Sequence, residues 1–330
     1  MRIAITGSTG FLGRHVVELL KAEHEVLCIS RSGDAPKGCT GKKIDIVRGR
    51  GIKSAFAKVD VVVHLAGLVS HELAHAADTW AVHVQGTQNV LDGAYAAKVG
   101  RVICLSTSGT LAVSKEPDAM GTENTRTPEE LISLWPYYRS KLYAEQLALA
   151  HEHPQVICLN PSLLLGPGDE VGGTSTHAVR VFLDHGVPIA PSGGISFVDV
   201  RDVARAVQMT LTRGEAGHRY LLASGNMRFA EFYARLARIT GRDEPMAAMP
   251  RFTRKALRWF PGWGRASGIS AGIGPVISRE DLELASHFWY ADAAKAIRVL
   301  GWDHRDPMTT LEDTVFDILE RQNQAYARYR

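Results

Sequence analysis

The chain has 330 residues, of which 45% are hydrophobic and 22% charged, and a formal net charge of +3 spread along its length. This composition excludes a disordered chain and a small scaffold stapled by disulfides or metal, because a chain of this length buries much of its surface. It gives no case for nucleic-acid binding, which needs a concentrated basic face, and no apolar stretch is long enough to cross a bilayer.

The four cysteines, at positions 28, 39, 104 and 158, form no CxxC pair. Three lie in predicted buried strands, where a thiol behaves as a small hydrophobic side chain. We therefore expect a reduced, cytoplasmic protein without a disulfide framework, with a reactive thiol as the alternative. His71 and His75 are spaced i, i+4, but no acidic or cysteine partner is placed beside them, so no metal site is expected.

Strand-like and helix-like segments alternate through the first half of the chain. Short apolar runs bounded by turns predict strands, and apolar residues at helical spacing predict helices. The predicted strands cover residues 1–6, 25–30, 42–46, 59–67, 101–108 and 155–161, and helices follow residue 11 and cover 78–98 and 137–151. Repeated β-α-β units with apolar strands indicate a doubly wound parallel sheet, that is, a Rossmann-type α/β fold.

This alternation breaks after Pro161, where a glycine-rich excursion begins. Beyond it the patterns predict strands at 196–200 and 218–224, and helices at 176–185, 201–212, 227–240 and from residue 309 onward. The second region therefore interleaves with the first. We expect a first domain of residues 1–165, to which residues 196–212 return, and a smaller α/β domain of residues 166–195 and 213–330.

The turn after the first strand, GSTGFLG, carries glycines at positions 7, 10 and 13 between a strand and a helix. Gly7 permits a tight turn, Gly10 lets the backbone approach a pyrophosphate, and Gly13 lets the helix pack closely on the strand. The free N–H groups and the dipole of the helix N-terminus favour an anion. The turn therefore predicts a dinucleotide site, with a plain turn that binds no ligand as the alternative.

The end of the second predicted strand indicates which nicotinamide cofactor is used. NAD enzymes of this kind place a carboxylate there to hold the ribose 2′-hydroxyl, whereas this chain has the sequence Ile-Ser-Arg-Ser at residues 29–32. The planar fork of Arg31 can pair with a 2′-phosphate, and Arg14 could add charge. NADP is therefore favoured over NAD, with Arg31 as a solvated loop residue the alternative.

Tyr137 and Lys141 lie four residues apart, on one face of a predicted helix. A nearby ammonium favours the phenolate and lowers the pKa of a tyrosine, which suits an acid/base catalyst. Ser108 ends a predicted strand, where doubly wound folds place their ligands, and its hydroxyl could hold a substrate carbonyl oxygen beside Tyr137. Tyr138 is the rival tyrosine but lacks the four-residue spacing to Lys141.

The motifs TGSTGFLG, HLAG, STSGT, YYRSK, NPSLLLGPGD and SFVDVRDVA occur in the order and at the spacings of the extended short-chain dehydrogenase/reductase family. The chain resembles that family from residue 1 to about residue 211. The resemblance implies an NAD(P)-binding Rossmann domain and a smaller C-terminal substrate-binding domain. It also implies a catalytic triad of Ser108, Tyr137 and Lys141, in which Tyr137 is the acid/base.

The cofactor-binding residues that the resemblance and the motifs imply come from several segments. They are Gly7, Thr9, Gly10, Phe11, Leu12 and Gly13 of the glycine turn, Arg31, Asp45 and Ile46 beside the adenine, Leu65, Ala66 and Gly67 beside the phosphates and ribose, and Lys141, Pro161 and Ser162 around the nicotinamide and its ribose. Two positions depart from the family's usual pattern, since His83 stands where Asn is frequent and Asn160 where Arg is common.

Members of this family catalyse ketone/alcohol redox chemistry, sugar epimerisation or sugar dehydration. The Asp–Glu pair of the dehydratases is missing after Ser108, and Gly-Ile-Ser at 194–196 replaces the arginine that nucleotide-sugar enzymes tend to carry. The chain resembles the dihydroflavonol reductase and 3β-hydroxysteroid dehydrogenase branch. We therefore expect an NADP-dependent oxidoreductase that transfers hydride between the nicotinamide and a ketone or secondary alcohol on a bulky, largely apolar small molecule. The alternatives are a nucleotide-sugar epimerase and a non-catalytic NADP-binding protein.

Two segments are expected to line the substrate pocket: the loop with Leu131, Leu134 and Trp135, and residues 252–263. Residues 250–280 are basic, aromatic and glycine-rich, so we expect a substrate-side lid or helix, with weak membrane or lipid contact near residues 250–265 as the alternative. By analogy with the family, we expect a homodimer formed through the helix over 78–98 and the helix that carries Tyr137.

Overall fold

The fold is taken from a computed structural model that describes residues 1–70, 72–170, 173, 175–245, 247–248 and 279–328. His71 and most of the basic aromatic segment 250–280 lie outside these residues, so the expectations for them stay predictions. The described strands are β1 Arg2–Thr6, β2 Glu25–Ser30, β3 Thr40–Lys43, β4 Val61–His64, β5 Arg101–Leu105, β6 Gln155–Pro161, β7 Leu163–Leu165, β8 Ile189–Ala190, β9 Gly194–Asp199, β10 Arg219–Leu222, β11 Gly225–Arg228 and β12 Ala247–Ala248.

The described α-helices are α1 Phe11–Leu20, α2 Ile52–Ala55, α3 Ala76–Trp80, α4 Gly86–Ala96, α5 Glu129–Ile132, α6 Pro136–Leu149, α7 His177–His185, α8 Val200–Thr210, α9 Phe229–Thr240, α10 Arg279–Leu284 and α11 Pro307–Arg328. Short 3₁₀ turns cover Leu73–His75 and Ser108–Thr110, and π-helical turns cover Ala81–Gln85 and Ala296–Leu300. The helix predicted over 78–98 is therefore α3 and α4 joined by a π-helical turn. None of the described helices is long and apolar enough to span a membrane.

Seven parallel strands form the central sheet, in the order β3-β2-β1-β4-β5-β6-β10. The strand order reverses between β1 and β4, and ligands of such sheets bind where the carboxyl ends of the strands part. The apolar strands are covered on both faces: α1 and α8 pack on one side with Val16 and Val203, and α2 and α4 pack on the other with Phe56 and Val90. The predicted Rossmann-type sheet is confirmed.

The second part of the fold is built on a three-stranded sheet in the order β11-β9-β7, where β9 runs parallel to β7 and antiparallel to β11. Helices α7, α9 and α11 cover it with a separate cluster that includes Phe182, Phe232 and Val315. This cluster lies beside the carboxyl end of β6 because β7 follows β6 after one residue, Ser162.

The chain crosses between the two sheets at points other than those expected. Strand β10, expected in the second domain, pairs with β6 and closes the edge of the central sheet, where Leu221 and Leu222 are fully buried. Strand β9, expected to return to the first domain, belongs to the smaller sheet. Helix α8 does pack against α1, and Asp199 caps its N-terminus by accepting a hydrogen bond from the Arg201 N–H. All four cysteines are free.

Candidate active site

The glycine turn between β1 and α1 is shaped by close backbone packing. Gly7 has φ +74°, and a Cβ there would lie 2.6 Å from the Ala66 nitrogen. A Cβ at Gly13 would collide with the carbonyl oxygen of Gly7. Both positions therefore require glycine, because a side chain would push the turn away from β4 or the helix away from the turn.

The N-terminus of α1 suits an anion. Its N-cap is Gly10, no side chain caps it, and no acidic residue lies in its first turn. The first amides of a helix have no partner within the helix, and together with the dipole they favour negative charge. The residues present therefore fit the pyrophosphate of a dinucleotide, as P-loop and Rossmann turns do.

Ser108, Tyr137 and Lys141 are brought to one place by two elements, the 3₁₀ turn after β5 and helix α6. Ser108 is buried in the 3₁₀ turn that follows β5. Tyr137 lies in the first turn of α6, which has Pro136 at its favoured first position, and Lys141 lies one turn later. The Lys141 ammonium donates a hydrogen bond to the Leu105 carbonyl at 2.9 Å, which fixes α6 against the end of β5.

All three residues line one cleft of about 440 Å³ at the carboxyl ends of the strands. The cleft begins at the glycine turn, passes these side chains and continues into an apolar end. The end is lined by Leu163, Leu164, Val181, Ile195, Phe229 and Trp289. Among the described residues that line the cleft, Lys141 is the only Lys, Arg, Asp or Glu, and the volume is that of a typical small-molecule site.

Burial controls the protonation of the site. It raises the pKa of Tyr137 to about 12, because a phenolate loses its hydration there. The pKa of Tyr137 therefore lies above its ordinary value, and not below it as the spacing to Lys141 led us to expect. Burial also lowers the pKa of Lys141 to about 8. At neutral pH both groups therefore hold their protons.

His83 takes up a defined orientation beside Tyr137. It lies in the π-helical turn, and its Nε2 accepts a hydrogen bond from the Leu68 N–H at 3.1 Å. The proton of the neutral ring must then be on Nδ1, which lies 2.8 Å from the Ser140 hydroxyl. The Ser140 hydroxyl donates to the Tyr137 carbonyl at 2.9 Å, and burial lowers the pKa of His83 to about 2. The ring is thus a neutral link between the loop after β4 and the start of α6.

Most of the expected cofactor residues border the cleft. Those that line it are Gly7, Gly10, Phe11, Leu12, Gly13, Leu65, Gly67, Lys141, Pro161 and Ser162. Ala66 lines a cavity of about 10 Å³ beneath Lys141, and Thr9, Arg31, Asp45 and Ile46 do not border the cleft. Asp45 accepts a hydrogen bond from the Val47 N–H at 2.9 Å, and Ile46 is buried in the core. These last four residues would meet only a ligand that extends beyond the cleft.

The two arginines considered for a 2′-phosphate differ. Arg31 is exposed and follows β2 directly, and no described residue forms a salt bridge or hydrogen bond with it. Arg14 instead forms an ion pair with Glu170 and donates to the Gly168 carbonyl at 3.1 Å. Arg31 is therefore available to an anion, whereas Arg14 is engaged by the segment after β7.

The expected pocket-lining loop does not reach the cleft. Trp135 is buried and packs edge-on to Tyr138 at 6.0 Å between ring centroids, and Leu134 is exposed. The aromatic wall is formed instead by Tyr138 and Trp289, whose rings stack at 4.8 Å. No local pattern marks Trp289 as a site residue, because 181 residues separate it from Ser108 and only the fold brings the two together.

A parallel sheet in this order, with a glycine turn and a Ser-Tyr-Lys set in one cleft, defines a nicotinamide-dependent Rossmann-type protein of the short-chain class. The model of the NAD dependent epimerase/dehydratase family matches residues 3–223, and the chain belongs to this family. The predicted family, and with it the expectation of a nicotinamide-dependent enzyme, is confirmed.

Individual relatives refine this placement. A putative dihydroflavonol 4-reductase of Synechocystis sp. is 27% identical, over 98% of this chain and 95% of its own. Cinnamoyl-CoA reductase 1 of Oryza sativa subsp. japonica is 27% identical, over 78% of this chain and 84% of its own. The crystal structure of gox2253 superposes with a TM-score of 0.81 at 23% identity, covering 97% of this chain and 98% of that one. The chain is therefore similar to reductases along most of its length.

Proposed function

We propose that the protein transfers hydride reversibly between NADP(H) and a ketone or secondary alcohol on a bulky, largely apolar small molecule. The observation that carries the proposal is the cleft of about 440 Å³ that joins the glycine turn, the Ser108–Tyr137–Lys141 set and an apolar end. A nicotinamide bound beside Pro161 and Ser162 would supply or accept the hydride.

In the reducing direction Tyr137 acts as the general acid. Its pKa of about 12 keeps the phenol protonated at neutral pH, so it can hand its proton to the carbonyl oxygen as that oxygen becomes an alkoxide. The Ser108 hydroxyl donates a second hydrogen bond to the same oxygen. The Lys141 ammonium, held on the Leu105 carbonyl, places positive charge beside the site and favours the phenolate that remains.

NADP is favoured over NAD by the residues at the end of β2. Ser30, Arg31 and Ser32 supply no carboxylate for a ribose 2′-hydroxyl. The exposed guanidinium of Arg31 suits a 2′-phosphate, because its planar fork binds phosphate oxygens in pairs.

The apolar end of the cleft supports a largely apolar substrate. Among the described lining residues, Lys141 is the only Lys, Arg, Asp or Glu, and the wall beside Ser108 is aromatic. A nucleotide sugar carries a diphosphate that needs cationic partners. The described part of the cleft offers no lysine or arginine at its apolar end, which favours a ketone reductase over an epimerase.

The test is turnover of NADPH and NADH with aromatic, steroid and long-chain β-keto substrates, alongside UDP-sugars. Oxidation of NADPH with formation of a secondary alcohol is expected. Isomerisation of a UDP-sugar without net cofactor turnover would establish the epimerase instead. Cofactor binding without turnover of any substrate, unchanged by Lys141→Ala, would establish a non-catalytic protein.

A further inference from the structure

Glu145 is a buried carboxylate that the proposed chemistry does not use. It lies on α6, one helical turn after Lys141, and is 3% exposed. A buried carboxylate is costly unless its oxygens are paired and hydrogen-bonded. Oε1 accepts from the Arg219 guanidinium at 2.9 Å, and Oε2 accepts from three other side chains. These are Asn160 at 2.6 Å, Thr110 at 3.1 Å and the Ser106 hydroxyl.

The four donors come from three places in the fold. Asn160 lies in β6 and Arg219 in β10, while Ser106 and Thr110 lie two residues before and two residues after Ser108. Because Glu145 belongs to α6, these bonds fix the turn that carries Ser108 relative to the helix that carries Tyr137 and Lys141. The Asn160 amide tightens the arrangement by also donating to the Thr107 carbonyl at 3.1 Å.

The negative charge of Glu145 also acts on Lys141. Burial lowers the pKa of Lys141 to about 8, and the neighbouring Cys104, Cys158 and Glu145 oppose this by favouring the ammonium. The other titratable groups that face Lys141 are His64, His83, Cys104 and Cys158. The two imidazoles are buried with pKa values of about 3 and about 2, so they are neutral near pH 7. Glu145 is the carboxylate among these groups, and it is paired with Arg219.

We propose that Glu145 is a positioning residue that holds Ser108 opposite Tyr137 and sets its negative charge one helical turn from the Lys141 ammonium. Its catalytic consequence rests on the proposed function, whereas its effect on Lys141 does not. Arg219 is the counter-ion of Glu145: its guanidinium neutralises the buried carboxylate and also donates to the Glu123 carbonyl at 3.2 Å.

The test compares Glu145→Gln and Glu145→Asp with Asp202→Asn in the full chain. Glu145→Gln removes the negative charge, and its NH₂ group must face donors, either Arg219 or the three side chains that donate to Oε2. Glu145→Asp keeps the charge on a side chain that is one methylene shorter. Asp202 is a matched control, because it is also buried and paired with an arginine, Arg305, but it lies on α8 and not on the helix that carries Tyr137 and Lys141. The pKa of Lys141 is read by NMR of ¹³Cε-labelled lysine, assigned with Lys141→Arg, and kcat and the NADPH Kd are measured in parallel.

Glu145→Gln should lower the pKa of Lys141 and reduce kcat by roughly tenfold or more, with the NADPH Kd within about threefold of wild type. Glu145→Asp should keep the pKa of Lys141 and lose part of kcat, and Asp202→Asn should lose stability alone. An unchanged pKa of Lys141 in Glu145→Gln, or an equal shift in Asp202→Asn, would overturn the proposal.

The proposed reaction and the role of Glu145 can fail separately. If the wild-type protein turns over no ketone, the proposed function fails, while the pKa of Lys141 still decides the role of Glu145. If Glu145→Gln does not fold, the kcat values of Glu145→Asp and Thr110→Val decide whether Glu145 has the positioning role. Thr110→Val removes the hydroxyl beside the Ser108 turn, and a roughly tenfold lower kcat supports the positioning role, whereas a kcat within twofold of wild type overturns it.

Discussion

Acidification is expected to unfold this protein through two buried histidines. His64 and His83 are 4% and 1% exposed. Their ring nitrogens are engaged: His64 lies 2.7 Å from the Thr6 hydroxyl and 3.0 Å from that of Thr87, and His83 bridges the Leu68 amide and Ser140. Burial holds the pKa of His64 at about 3 and that of His83 at about 2, against 6.5 for an ordinary histidine.

The direction in which pH changes the stability follows from proton uptake on unfolding. The folded pKa values lie below the unfolded value, so the unfolded chain binds more protons and stability falls as the pH drops below about 6.5. Each histidine contributes about 1.4 kcal/mol per pH unit, so the pair gives a slope of about 2.7 kcal/mol per unit until the folded pKa values are reached. At pH 5 the loss is about 4 kcal/mol, a large part of the 5–15 kcal/mol typical of a folded domain.

The assay is denaturant unfolding of the cofactor-free protein between pH 7 and pH 5, for wild type, His83→Asn and His304→Gln. Asn can still accept from Leu68 and donate to Ser140 but takes up no proton, so the slope should fall by about half. His304 is exposed, and its replacement should leave the slope unchanged. A wild-type slope in His83→Asn would refute the assignment of His83 as a buried neutral ring.

Three further changes test the cofactor turn, the cofactor choice and the assembly. Gly13→Ala should abolish NADPH binding, measured by cofactor fluorescence, and lower Tm, because its Cβ meets the Gly7 carbonyl. Arg31→Glu should weaken NADPH binding at least about tenfold, since a charged hydrogen-bonded pair is worth roughly 1.5–3 kcal/mol, and leave NADH within about twofold. Trp80→Glu should convert the expected dimer to a monomer in light scattering. Trp80 on α3 and Tyr143 on α6 are 41% and 49% exposed, and their rings pack at 5.1 Å on the two helices through which the dimer is expected to form.

Matched variants separate these effects from general damage. Gly100→Ala, Lys37→Glu and Phe316→Glu should be neutral, because a Cβ at Gly100 meets only ordinary contact at 3.6 Å and the other two side chains are exposed away from the cleft. Tight NADPH binding by Gly13→Ala would contradict the turn geometry. An equal loss of affinity for NADPH and NADH in Arg31→Glu would contradict the role of Arg31 in binding the 2′-phosphate. A wild-type protein that is monomeric in light scattering would contradict the expected dimer.

Sequence patterns predicted best the bounds of those strands whose residues are buried along almost their whole length. Strand β6 has the predicted bounds, because its apolar run is covered on both faces. Strand β3 was expected over 42–46 but covers Thr40–Lys43, all exposed. An edge strand is held by backbone pairing with β2, so its side chains carry no apolar signal, while Ile44 and Ile46 enter the core beyond its end.

Long-range features of the site had little sequence signal. The four-residue spacing of Tyr137 and Lys141 is local, so it could be recognised in the sequence. Glu145 follows Lys141 at the same spacing. Its partner Arg219 is 74 residues away, and only the pairing of β10 with β6 brings it there. The raised pKa of Tyr137 could not be predicted from the sequence, because it depends on how deeply packing buries the phenol. The π-helical turn that orients His83 has no propensity signal of its own.

The most direct test of the central claim is single-turnover reduction of an accepted ketone by NADPH in wild type, Tyr137→Phe and the control Tyr138→Phe. Proton donation by Tyr137 predicts that Tyr137→Phe binds NADPH within about twofold of wild type and slows hydride transfer by roughly 10² or more, while Tyr138→Phe stays within about tenfold. Reduction by Tyr137→Phe at the wild-type rate would contradict the account.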